Sequence, residues 1–140
     1  MRQLFDLTLE RASAPPPACA IHQPNFFPRL GTLLKIAVAD AWVVLTRVQF
    51  ARRDYQHRCL LAPDRKANAL GWCTVPVHAA QGHSTAIDDL EVSDPEATAR
   101  RIYRMIALHY ARSPGWPAIE PIVENTVAAL RRGQFIDAVA

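Results

Sequence analysis

The sequence predicts an α/β fold: a βαβ start with parallel strands, then further strands in a mixed sheet, then C-terminal helices. Three observations carry this prediction. Two short apolar runs, ACAIH (18–22) and AWVVLT (41–46), flank a helix-periodic segment. Together they span roughly 30 residues, the size of one βαβ unit. Strand-like pieces separated by turn residues fill the middle of the chain, and two amphipathic stretches end it.

Each element has a local reason. Residues 1–17 read as an N-terminal extension ending in a Pro-rich spacer, Pro15 to Pro17, which favours extended backbone. The α/β domain then occupies 18–140. In Leu30–Val38, Leu33, Leu34, Ala37 and Val38 recur at helical spacing, and Asp40 ends the run. Ala41–Thr46 is continuously apolar rather than alternating, the pattern of a strand buried on both faces. Its crossover from the first strand is expected to be right-handed. Tyr55–Leu61, Leu70–Val77 and Ile87–Val92 follow as strands, separated by the turn-like segments Pro63–Asn68 and Ala79–Ser84. Ser93 or Asp94 caps a helix with Pro95 first and Glu96 in its opening turn. Ile102, Met105, Ile106 and His109 share a face of that helix. Ser113–Pro117 reads as a loop, and a last helix covers Ala118–Leu130 until Gly133 stops it. Phe135–Ala140 begins another helical segment.

Composition narrows the class. The chain has 140 residues, half of them apolar, enough for one domain with an ordinary core. A net charge of +3 is too small to imply a nucleic-acid partner, and no RNA or DNA module signature accompanies it. No apolar run approaches the roughly 18 residues of a membrane span. Asp6, Glu10 and Arg11 interrupt any signal-peptide core. Cys19, Cys59 and Cys73 lie far apart, which fits a reduced, cytoplasmic protein. His78, His83 and Cys73 do not fall at a metal-ligand spacing, so no metal is expected. With no Walker A loop and no Gly-x-Gly-x-x-Gly, no cofactor is specified.

The chemistry concentrates in two stretches. AIHQPNFFPRLG (20–31) places His22, Gln23 and Asn25 beyond the carboxyl end of the first strand, with Lys35 one turn into the helix. Open α/β sheets collect ligands at that edge, and the helix N-terminus there favours an anion. Pro24 and Pro28 restrict the loop backbone. VQFARRDYQHR (48–58) follows the second strand. Arg52, Arg53 and Arg58 suit phosphate or carboxylate, and Gln49, Gln56 and His57 add neutral hydrogen-bonding groups. The plainer alternatives are a strand-capping turn for the first stretch and a solvated basic loop for the second.

IHQPNFFPRLG with the following Lys, VQF with its Arg, YQHR and WCTVPV together resemble the WbqC-like proteins of bacteria. IALHYARSPGW resembles a later region of that family more loosely. The likeness covers residues 20–130. It implies a cytosolic α/β protein often encoded with O-antigen or other surface-glycan genes, and so a transferase-type role in building a glycosyl precursor. The recurrent polar positions of the family fall on His22, Gln23, Asn25, Lys35, Gln49, Arg53, Gln56 and Arg58. Two departures stand out. Thr46 and Arg47 occupy positions where the family commonly carries two acidic residues. His57 and Cys59 occupy positions where it commonly carries Asn. Family members are typically longer, so the resemblance implies a fragment or a degenerate paralogue.

Three functional readings follow. In the first, an anionic or nucleotide-activated small molecule is the substrate of a transferase: His22 is the general base or a phosphate ligand, Arg53 and Arg58 hold a diphosphate or carboxylate, and Gln23, Asn25, Lys35, Gln49 and Gln56 complete substrate binding. In the second, the same pocket binds without turnover. The third, a nucleotidyltransferase-like enzyme, rests on topology, since only Gly31 fits the His-x-Gly-His pattern of that superfamily.

Overall fold

A computed structural model describes residues 17–62 and 71–139. Residues 1–16 of the expected extension, the predicted turn Pro63–Asn68, Leu70 and Ala140 lie outside the described residues. The α/β class and the parallel opening hold. The elements are β1 (Cys19–His22), α1 (Leu30–Val38), β2 (Ala41–Val44), β3 (Arg58–Leu61), β4 (Gly71–Thr74), β5 (Val77–His78), β6 (Glu91–Val92), α2 (Pro95–Tyr110) and α3 (Trp116–Arg131). Short 3-10 turns form at Gly82–Ser84, Ile87–Asp89 and Ile136–Ala138.

β1 and β2 pair in parallel, Cys19 opposite Ala41 and His22 opposite Val44. Asp40 does end α1, and its carboxylate accepts the Ala18 N–H at 2.8 Å, locking the helix exit onto the start of β1. The later strands form two small antiparallel sheets, β3 with β4 and β5 with β6, rather than joining the parallel pair in one sheet. Pro76, lacking an N–H, divides the predicted strand Leu70–Val77 between them. The predicted strand Tyr55–Leu61 shortens to β3 because the Tyr55 and Gln56 carbonyls accept the Phe26 N–H instead. Ile87–Val92 likewise opens as a 3-10 turn, its Ile87 N–H donating to the Val48 carbonyl at 3.0 Å.

The C-terminal helices follow their caps. Asp94, in the left-handed region, accepts the Ala97 N–H at 3.2 Å and starts α2 at Pro95. α3 begins at Trp116, two residues before the expected start, because a first turn tolerates Pro117. Gly133, at φ 87°, ends it. The segment after Phe135 makes one 3-10 turn, and Phe135 itself is fully buried. The Tyr103 hydroxyl donates to Glu120 at 2.7 Å across the α2–α3 pair.

One core unites Phe26, Phe50, Leu61, Val75, Leu90, Ile102, Val123, Leu130 and Phe135 with their neighbours. None of its buried residues comes from β1, α1 or β2. The expected two-sided burial of Ala41–Thr46 is therefore corrected: Trp42 and Val43 are exposed, as are Ile21, Leu33, Leu34 and Val38. Among the described residues no second layer covers this two-stranded sheet, so an uninterrupted apolar run here does not mean burial on both faces.

Candidate functional site

The Gln23–Arg29 loop and the Ala51–Arg58 loop interlock. Gln23 Nε2 donates to Asp54 Oδ2 at 2.9 Å. The Phe26 N–H donates to the Gln56 carbonyl at 3.0 Å, and the Phe26 ring is buried in the core. The Arg29 guanidinium lies 3.6 Å over the Tyr55 ring, a cation–π contact. Phe27 adopts a φ of 46°, a conformation that costs a side-chain-bearing residue about 1–2 kcal/mol. Pro24 and Pro28 on either side limit the relaxation open to it.

The second loop is braced from within. Gln56, almost fully buried, accepts the Ala51 N–H at 2.7 Å and closes the loop. Arg58 donates to the Asp54 and Arg53 carbonyls and stacks 4.3 Å over Trp72. His57 is buried edge-on to Phe50, with its Nδ1 unpartnered. Burial first, and then the Arg58 and Arg52 charges, lower its pKa to about 4, so the ring is neutral at pH 7. Asn25 Oδ1 is also buried without a partner.

Two cavities carry the free polar groups. One, of about 330 Å³, lies between β1 and α1 and is lined by His22, Thr32 and Lys35 among others. His22 Nδ1 sits 2.6 Å from the Gln23 carbonyl. A carbonyl only accepts, so Nδ1 carries a proton, and in the neutral ring Nε2 is then the nitrogen with the lone pair. The other cavity, of about 520 Å³, is lined by Gln49, Phe50, Ala51, Arg52, Arg53 and His83. Gln49 Nε2 donates to the His83 carbonyl at 2.6 Å. Among the described residues neither Arg52 nor Arg53 forms an ion pair.

The eight predicted residues thus divide. His22 and Lys35 share one cavity, and Gln49 and Arg53 share the other. The Gln23 side chain ties the first loop to the second, those of Gln56 and Arg58 brace the second from within, and Asn25 is part-buried. Sequence reasoning missed Asp54 and Thr32, and it gave His83 only a failed metal spacing. Asp54 had a signal, being the lone acid in the basic stretch 51–58. Arg47 turns to Asp88 and Asp89, at 3.3 and 3.5 Å. Neither Thr46 nor Arg47 lines the two cavities.

The WbqC-like protein family model matches residues 23–137. The chain belongs to the WbqC-like family. The WbqC-like match takes in both interlocked loops and starts one residue after His22. A search of curated proteins and a search of solved structures find no match. Among the described residues of this WbqC-like chain, no helix is long and apolar enough to cross a membrane.

Proposed function

We propose that this WbqC-like chain is a transferase-type enzyme for an anionic or nucleotide-activated small molecule, serving surface-polysaccharide precursor biosynthesis. One observation carries the reading: His22, its Nδ1 held by the Gln23 carbonyl, shares a cavity with Lys35. Nε2 accepts the proton of an attacking hydroxyl or amine. The acceptor's bond to the transferred group forms as the bond to the departing phosphate breaks. Lys35, in the last turn of α1, attracts that phosphate by its charge. The Arg52–Arg53 cavity takes a second anionic part of a donor, with Gln49 at its wall. Gln23, Gln56 and Arg58 contribute by holding the loops rigid, so that binding does not have to order them. The polysaccharide context comes from the family resemblance alone.

Binding without turnover is the second reading, and Arg47 favours it. Where the family commonly has an acid, this chain has a cation paired with Asp88 and Asp89.

Thermal unfolding against a panel of nucleotide-sugars, acyl-CoAs and nucleotides tests the proposal. One class is expected to raise the midpoint of the parent and not of His22→Ala or Arg53→Ala. A cooperatively melting parent that no class shifts contradicts it. Product formation with the stabilising donor separates enzyme from binding module.

A further inference from the structure

A third cavity, of about 320 Å³, lies away from the His22 and Arg53 groups, where β3 meets the α2–α3 turn. Phe27, Leu61, Ile106, Trp116, Ile119 and Val123 form most of its wall. Among the described residues no charged side chain lines it. Two hydroxyls stand at the wall, Tyr110 and Ser113. The Tyr110 oxygen accepts the Ala62 N–H at 2.7 Å, and among the described residues its own proton has no acceptor. Ser113 Oγ accepts the Gly115 N–H at 3.3 Å and keeps a proton in the same way. Phe27 is the residue of the 20–31 stretch held at positive φ, so a strained backbone delivers an aromatic ring to this wall.

We propose that this cavity binds the aliphatic chain of an acyl group presented as an ester, thioester or amide. An apolar wall with a few placed donors is the chemistry of a small-molecule site. The hydroxyls of Tyr110 and Ser113 at the wall suit a neutral carbonyl oxygen, which accepts from either. A methylene fills about the space of a water molecule, roughly 30 Å³, so the cavity holds a chain on the order of ten carbons. The site lies outside the proposed anion-binding residues and does not depend on them.

Titration with acetamide, hexanamide and octanamide, followed by Trp fluorescence and calorimetry, tests this. Affinity is expected to rise about fourfold per added methylene. Gly115→Leu fills the mouth without strain, because a Cβ there meets only Ser113 Oγ, at 3.9 Å. Ile119→Trp fills the wall from a half-exposed position. Each is expected to weaken octanamide binding at least tenfold in a protein that still melts cooperatively. Should one variant fail to fold, the other carries the test. Leu34→Ser, on the exposed face of α1, is expected to leave octanamide binding unchanged, as are His22→Ala and Arg53→Ala. Affinity independent of chain length overturns the proposal. So does binding that survives both filling variants, or that Leu34→Ser abolishes.

Discussion

His57 makes the stability of this chain depend on pH in a calculable way. Its imidazole is buried beside Phe50 with Arg58 and Arg52 nearby, and its pKa falls from 6.5 to about 4. The unfolded chain therefore takes up the proton first. The stabilising contribution is complete above pH 6.5, is lost as pH falls from there through about 4, and declines no further below that. A shift of that size corresponds to about 3 kcal/mol as an upper limit. Solvent screening of the two arginines brings it to about 2 kcal/mol. Other groups titrate in the same window, so the comparison is with His57→Asn, which cannot titrate. Urea unfolding at pH 7 and pH 4 should show the parent losing about 2 kcal/mol more than the variant over that interval. Equal losses in both would refute the reading of a buried, neutral His57.

Other outcomes follow from the same contacts. Phe26→Ala empties the fully buried position where the first loop enters the core, and should cost about 3–5 kcal/mol in denaturant unfolding. Arg58→Lys keeps the charge but loses the fork that spans the Asp54 and Arg53 carbonyls and the Trp72 stack. It should cost about 1–2 kcal/mol and weaken ligand binding through a looser loop. Of the three cysteines only Cys19 is exposed. The hydrogen bond shared with Cys73, and burial after it, push the Cys59 thiol up, and Cys73, whose thiol that bond lowers, is shielded by complete burial, so a thiol reagent should label Cys19 quickly in the native state and Cys59 and Cys73 only on unfolding.

Much of the frame is legible in the sequence because its signals are local. Asp40, Asp94, Pro95 and Gly133 act on backbone within a few residues of themselves, and each marks the boundary it was read to mark. The proximity of the two polar stretches is also legible, since a parallel βαβ unit places the ends of β1 and β2 side by side. What fails depends on partners distant in sequence. The apolar run at Ala41–Thr46 has the composition of a core strand, but composition does not say whether another layer covers it. Gln23, Gln56 and Arg58 carry groups that suit a ligand equally well as a neighbouring loop, and only the packed loops show that Asp54 and the loop carbonyls take them. Tyr55 and Gln56 leave the β3 ladder because Phe26 claims their carbonyls.

The central functional claim is that these loops present free cationic and imidazole groups to an anion. Calorimetric titration of the parent, His22→Ala and Arg53→Ala with inorganic pyrophosphate, at low and high salt, tests it most directly. The account predicts saturable binding that weakens with salt and at least tenfold in one or both variants. A cooperatively folded parent that does not bind, or variants that bind as the parent does, would contradict it.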